Sequence, residues 1–118
     1  MLFRSLKLKN LKELILYDCC LSALPEGIDQ LKNLLLLDLR FNYLKTVDEA
    51  WSNLTSLNRL ELRSAFSASK EKPQIPDSFA NLKHLLYLSF HFYEIDEAVY
   101  QKRLESLLPN TRSEEHNV

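Results

Sequence analysis

Glycine is almost missing from this sequence, with one residue in 118. Loops that cradle phosphate groups are built on glycine, so an α/β enzyme of that kind is not expected. Cysteine is limited to the adjacent pair Cys19 and Cys20, which cannot form a framework of structural disulfides. The chain also lacks a run of about 18 apolar residues for a membrane span, and its first residues lack the apolar core of a secretory signal. We therefore expect a cytoplasmic protein in a reducing environment.

The sequence also lacks an excess of charge of either sign. The chain carries 15 basic and 16 acidic residues, so its balance indicates neither a nucleic acid nor an anionic membrane as partner. Apolar residues make up 46%, enough for a core, and the length suits one small domain.

What the chain has in excess is leucine at regular intervals. Four segments align, with sequences LKELILYDCCL from residue 11, LLLLDLRFNYL from 34, LNRLELRSAFS from 57 and LLYLSFHFYEI from 85. Their starts are 23, 23 and 28 residues apart, and each has apolar residues at positions 1, 4 and 6. Apolar residues also recur at other equivalent positions of the repeats. These are the set Leu8, Leu31, Leu54 and Leu82, and the pairs Leu24/Ile28, Val47/Trp51 and Ile75/Phe79. A repeat of this length indicates a solenoid.

The pattern resembles the leucine-rich repeat family, whose signature is LxxLxLxx(N/C)xL. The resemblance covers roughly Leu8 to Pro109, and the segments LSALPEGIDQLKNL and QIPDSFANLKHL resemble the LPxxhxxL type of plant and bacterial intracellular repeats. The signature's Asn/Cys position is held by Cys19, Asn42, Ala65 and Tyr93. In the family an inward Asn bonds the backbone of the turn after the strand. Ala65 and Tyr93 depart from this pattern, so the resemblance implies less regular loops there.

The resemblance implies an α/β fold: a right-handed leucine-rich repeat solenoid of about four coils, with a parallel sheet on its concave face and a C-terminal capping helix. We predict one domain over residues 1–112, a helix at about 96–108 that begins at the N-cap Asp96, and a polar, frayed tail at 113–118. Leu2, Phe3, Leu6 and Leu8 are expected to cover the first coil. Five extra residues in the third repeat, within Ser64–Pro76, predict an exposed loop.

Side chains alternate between core and surface along each strand, so the outward positions follow from the repeat. Tyr, Phe and Arg are frequent at these positions, and such residues anchor protein interfaces. We expect lateral neighbours on adjacent strands to be Asp38 with Glu61 and Arg40 with Arg63. The row formed by Arg40, Arg63 and His91 could bind an acidic segment of a partner. We predict the binding residues to be Tyr17, Arg40, Phe41, Tyr43, Arg63, Phe66, Tyr87, His91 and Phe92.

Catalysis and cofactor binding have little support in the sequence. Cys19, expected to point inward, and Cys20, expected to point outward, would need a histidine partner to form an activated thiolate. Three coils separate Cys20 from His91, on the order of 14 Å at strand spacing. No His or Cys pair has the spacing of a metal site. We therefore predict neither enzymatic activity, nor a cofactor, nor a metal.

The sequence thus predicts a non-enzymatic module that binds a protein partner through its concave face. Two alternatives remain open: a small inhibitor or immunity-type protein, and the repeat fragment of a larger receptor or effector. Weak self-association through the same aromatic residues is also open, and the sequence names no partner.

Overall fold

Five short parallel strands form one sheet in this computed structural model, which describes residues 9–67, 73–91 and 97–115. Their bounds are Glu13–Ile15 (β1), Leu36–Asp38 (β2), Arg59–Arg63 (β3), Tyr87–His91 (β4) and Arg112–Glu115 (β5). The strands neighbour one another in chain order. Because consecutive strands are adjacent and parallel, each connection returns across the back of the sheet and completes one coil. The predicted solenoid is confirmed.

The register of the strands follows the leucine columns of the sequence. Leu14 pairs with Leu37, Leu37 with Leu60, and Leu60 with Leu88. Leu37, Leu60 and Leu88 are at most 1% exposed, whereas Leu14 in the first coil is partly buried. A central coil has a neighbour on both sides, so its inward leucines are enclosed completely.

The convex side consists of short 3-10 helices, which span Ile28–Gln30, Glu49–Asn53 and Asp77–Asn81. Each helix buries one large apolar residue, and these are Ile28, Trp51 and Phe79. The apolar pairs of the variable half are therefore core columns, as the repeat predicts. Gly27, the single glycine, precedes the first of these helices with φ of 89°, a left-handed conformation that a residue without Cβ adopts easily.

A turn with a left-handed residue follows each of the first three strands. Asp18, Phe41 and Ser64 occupy the same position of successive repeats, with φ between 51° and 57°. The next residue in the second coil is Asn42, which is fully buried and bonds the backbone of the first coil's turn. The role that the family resemblance implies for this asparagine is confirmed.

In the third repeat Ala65 replaces the asparagine, so the backbone groups of the adjacent turn are hydrogen-bonded in a different way. Ala65 is fully buried, and its carbonyl accepts a hydrogen bond from the N–H of Leu44. Phe66 is only 5% exposed and stacks on Trp51, with ring centroids 6.2 Å apart. The predictions of an outward Phe66 and of an exposed loop at this point are therefore wrong. Pro73 is buried as well, and residues 68–72 lie outside the described residues.

An α-helix, Glu97–Leu107 (α1), takes the place of the 3-10 segment between β4 and β5. Leu104 and Leu108 join the core, and Arg103 donates hydrogen bonds to the carbonyl of Ile75 and the carboxylate of Asp77. The predicted N-cap Asp96 and the residues expected to cover the first coil lie outside the described residues. No helix in the described ranges is long and apolar enough to cross a bilayer.

Strand β5 differs from the frayed tail expected after residue 112. It pairs with β4 in parallel, with Ser113 beside Leu88 and Glu115 beside Phe90. Polar residues therefore stand at the register positions that carry core residues in the preceding strands. Such a polar strand is suited to end a sheet, since terminal repeats of solenoids present a polar outer side.

Candidate functional site

The concave face is formed by the outward residues of the strands and by the turn residues that follow them. Ile15, Tyr17, Phe41 and Tyr43 are exposed on the first two coils, with 58%, 47%, 38% and 48% of their surface accessible. Large apolar residues left in water at positions that the core does not use indicate an interaction surface. Here they concentrate at one end of the face.

Four predicted site residues meet in what we call the aromatic–arginine cluster, namely Tyr17, Arg40, Phe41 and Arg63. The rings of Tyr17 and Phe41 pack edge to face, with centroids 5.4 Å apart. The guanidinium of Arg40 lies 5.0 Å from the centre of the Tyr17 ring, and that of Arg63 lies 5.9 Å from the centre of the Phe41 ring. Both distances are within the range of cation–π attraction, which holds the cluster together.

Phe41 occupies its place at a conformational cost. Its φ of 57° is left-handed, a region that is unfavourable by about 1–2 kcal/mol for a residue with a Cβ. The turn is fixed by Asn42, whose amide group donates to the carbonyls of Leu39 and Leu16. Backbone strain of this kind is often found at functional sites, and here it presents an aromatic ring to solvent.

Two carboxylates lie side by side at the centre of the face, because Asp38 pairs with Glu61 in the sheet register. Asp38 accepts two hydrogen bonds from the Arg40 guanidinium, at 2.9 and 2.8 Å. The hydrogen bonds that Arg40 donates to Asp38 raise the pKa of Arg40 above its ordinary value, and the charges of Asp38 and Glu61 act in the same direction. Asp38 is buried although it points outward, since Arg40 covers it.

Glu61 is held in a similar way by its own strand and the next one. Its Oε1 accepts from Nε of Arg59 at 2.8 Å, and its Oε2 accepts from Oγ of Ser89 at 2.7 Å. The hydrogen bond with Glu61 raises the pKa of Arg59. The contact from Arg40 to Glu61 on the neighbouring strand is long, at 3.9 Å, because Arg40 and Arg59 each pair with the carboxylate two residues away in the sequence. The centre of the face is therefore largely self-neutralised.

Tyr87 lies apart from the aromatic–arginine cluster, on the fourth coil. Its ring is flanked by the guanidinium groups of Arg59 at 4.3 Å and Arg112 at 5.9 Å. Arg112 belongs to β5, so the unexpected fifth strand completes this arrangement. The concave face thus has an apolar end over the first two coils and a more polar end over the last ones.

The remaining predicted site residues have different positions. Tyr43 is exposed and forms a backbone bridge with Phe66, whose side chain is buried and cannot contact a partner. The backbone of His91 pairs with Arg63 in β4, and Phe92 lies outside the described residues. Ile15 is exposed on the same face, although it is not among the predicted binding residues. Its spacing of two from Tyr17 indicates this position.

The cysteines lie in the turn after β1, and both are exposed. The expectation of an inward Cys19 is wrong, because the core position of that turn is filled by Asn42, whose Oδ1 accepts from the N–H of Cys19 at 3.1 Å. The Cys19 thiol contacts the carbonyl of Tyr17 at 3.4 Å, which does not activate it as a nucleophile. Within the described ranges, no group of three or more His, Cys, Asp or Glu residues could hold a metal.

A cavity of about 270 Å³ lies at the opposite end of the solenoid, between the fourth coil and the end of α1. Its apolar lining includes Leu82, Leu85, Leu107 and Leu108. Sites for small molecules typically measure about 300–1,000 Å³ and bring together several polar groups. The extended concave face is therefore the stronger candidate site.

Comparisons with known proteins agree with this architecture. No model of a known protein family matches the chain. A 58-residue stretch, 48% of the chain, is 47% identical to the volume-regulated anion channel subunit LRRC8B of Mus musculus and of Homo sapiens. The chain spans about 7% of the length of these relatives.

A solved structure of a leucine-rich repeat protein from Leptospira interrogans superimposes with a TM-score of 0.71 and 31% sequence identity. The match covers 88% of this chain and 25% of that protein. The repeat, the coil geometry and these similarities define a leucine-rich repeat solenoid. The chain has the fold and the repeat pattern of the leucine-rich repeat family. Solenoids of this family are in general protein-interaction modules with a concave binding surface.

Proposed function

We propose that this protein is a non-enzymatic binding module, which recognises a protein partner through the concave face of its first three coils. The observation that carries the proposal is the exposure of Ile15, Tyr17, Phe41 and Tyr43 beside each other. The core does not require these side chains, and large apolar residues in water favour burial against a partner.

The composition of this face supports a protein as partner. Aromatic residues and arginine dominate the binding energy of protein interfaces, because aromatic rings bury large areas at a low cost in rotamer entropy and the guanidinium forms several directed hydrogen bonds. The edge-to-face contact of Tyr17 with Phe41 holds both rings before a partner arrives, and preorganisation lowers the entropic cost of association.

The proposal of no catalysis, no cofactor and no metal rests on the chemistry of the face. Its carboxylates are paired with arginines, and its thiols lie in a turn beside backbone groups. We propose a cytoplasmic protein, because two exposed free thiols suit a reducing compartment. The balanced charge supports neither a nucleic acid nor a membrane surface as partner.

A second candidate is that this segment is the repeat module of a longer receptor or effector. It is favoured by the comparisons, in which the matching stretches are minor parts of longer proteins. In this case too the concave face binds, and only the consequence of binding differs. A small inhibitor or immunity-type role is the remaining alternative, and a toxin gene beside this one would support it.

Affinity capture from extracts of the source cell tests the proposal. The intact domain, the variant Phe41→Ala/Arg63→Ala and the convex control Asn53→Ala/Lys83→Ala serve as baits, because Asn53 and Lys83 are exposed away from the sheet. We expect one set of proteins to be captured by the domain and the control and lost with the concave variant. Equal capture by all three baits contradicts the proposed surface.

Self-association is the competing use of the same side chains. Sedimentation of the domain and of Phe41→Ala/Arg63→Ala at increasing concentration separates the two. If the concave variant converts a dimer into a monomer and captures the same partners, the face is an oligomer interface and the assignment is wrong.

A further inference from the structure

Among the described residues of the concave face, Arg63 is an arginine that forms no ion pair. The oxygens of Asp38 are taken by Arg40, and those of Glu61 by Arg59 and the Ser89 hydroxyl. Arg63 follows Glu61 by two residues on β3, yet it forms no ion pair with any residue that the structure describes. The charge of Arg63 is therefore available to a partner.

The surroundings of Arg63 increase its preference for an anion. Its Nε is buried and donates no hydrogen bond, so no carboxylate of the described residues neutralises the group, and a partner's carboxylate has to bind the terminal Nη groups. Its guanidinium lies over the Phe41 ring, which displaces water from one side. A guanidinium in such a place binds a carboxylate through charge-assisted and often bidentate hydrogen bonds.

We propose that the partner inserts a segment in which an aspartate or glutamate stands beside a large apolar side chain. The carboxylate binds Arg63, and the apolar side chain covers the exposed rings of Tyr17 and Phe41. A basic segment is disfavoured, because it would bring like charge next to Arg40 and Arg63. This inference rests on the proposed function and specifies the chemistry of the partner.

A carboxylate suits this place better than a phosphate group does. A phosphate carries a charge of about −1.5 to −2 and usually binds several cations. Two neighbouring arginines, Arg40 just after β2 and Arg59 on β3, already neutralise Asp38 and Glu61. A single available guanidinium matches the single charge of one carboxylate.

Selection of displayed random peptides against the intact domain tests the inference. We expect the enriched peptides to carry Asp or Glu next to a leucine or aromatic residue. Arg63→Met, which keeps the apolar stem, should weaken the best peptide at least tenfold, equivalent to about 1.4 kcal/mol. The matched control Arg59→Met removes the same charge from a paired arginine of the same strand and should change the affinity less than threefold. Arg63→Lys keeps the positive charge but not the planar guanidinium, and it should show an intermediate loss of affinity.

The outcomes separate this inference from the proposed function. Neutral peptides whose binding is lost in Phe41→Ala overturn the acidic segment and leave the concave surface intact. Peptides insensitive to both Phe41→Ala and Arg63→Met contradict both proposals. An equal loss in Arg59→Met and Arg63→Met contradicts the assignment to Arg63, as does the absence of any enriched peptide. If Arg63→Met does not fold, Arg63→Lys decides, since affinity equal to that of the domain contradicts the bidentate contact.

Discussion

At the residue scale, Asn42 shows how one side chain connects two coils. Its Oδ1 accepts from the backbone N–H groups of Cys19 and Leu21, and its Nδ2 donates to the carbonyls of Leu16 and Leu39. Removing a buried partner leaves each orphaned group with a penalty of about 1–3 kcal/mol. Asn42 therefore holds the turn that presents Phe41.

We predict that Asn42→Ala lowers the free energy of unfolding by at least about 2 kcal/mol, because two buried carbonyls lose their donor and two partly buried N–H groups lose their acceptor. Urea denaturation monitored by circular dichroism measures this change. The control Asn53→Ala removes an exposed asparagine and should stay within about 0.5 kcal/mol of the unaltered domain. Equal effects of the two substitutions would show that Asn42 does not hold the turn.

The two thiols allow a second test at this scale. We expect Cys19→Ser/Cys20→Ala to retain both fold and partner binding, because both side chains are exposed. The melting temperature and the captured partner are the measurements. A folded variant that has lost all activity would indicate a chemical role for a thiol.

At the scale of elements, the strands and the 3-10 segments could be predicted from the sequence, since their leucines recur with the repeat. Strand β5 could not, because Ser113 and Glu115 stand where the pattern requires apolar residues. Burial of Phe66 was missed for a related reason: the third repeat lacks the asparagine of its turn, and the aromatic ring after Ala65 packs onto Trp51 instead. Sequence patterns thus identify repeated elements better than the irregular positions between them.

We predict that Leu37→Ala and Leu60→Ala each cost about 2–5 kcal/mol of stability, since each leaves a cavity in a central coil. Leu86→Ala is the matched control, because Leu86 is 63% exposed and its truncation creates no cavity. Thermal unfolding of the three variants measures the difference. An unchanged melting temperature for both core variants would show that the inward column is misassigned.

At the scale of the whole molecule, the residues that stabilise the solenoid are different from those proposed to bind a partner. Leucine columns hold the coils together, and the outward positions are left to vary. The repeat predicts most of the residues that face outward, Phe66 being an exception. It does not predict that Arg40 pairs with Asp38 while Arg63 has no acidic partner in the part of the chain described. That distinction depends on side-chain geometry, and it narrows the candidate binding surface from a face of four coils to the aromatic–arginine cluster, whose residues lie on the first three.

The most direct test of the central claim is the dissociation constant of the captured partner for the domain and for Phe41→Ala/Arg63→Ala, measured by titration calorimetry. Both residues are expected to be hot spots, and because they contact each other the double variant is measured as a unit. We predict a weakening of about a hundredfold or more, equivalent to about 2.7 kcal/mol or more, with an unchanged melting curve. The control Asn53→Ala/Lys83→Ala should bind as tightly as the unaltered domain. A folded concave variant within about threefold of the original affinity would contradict the account.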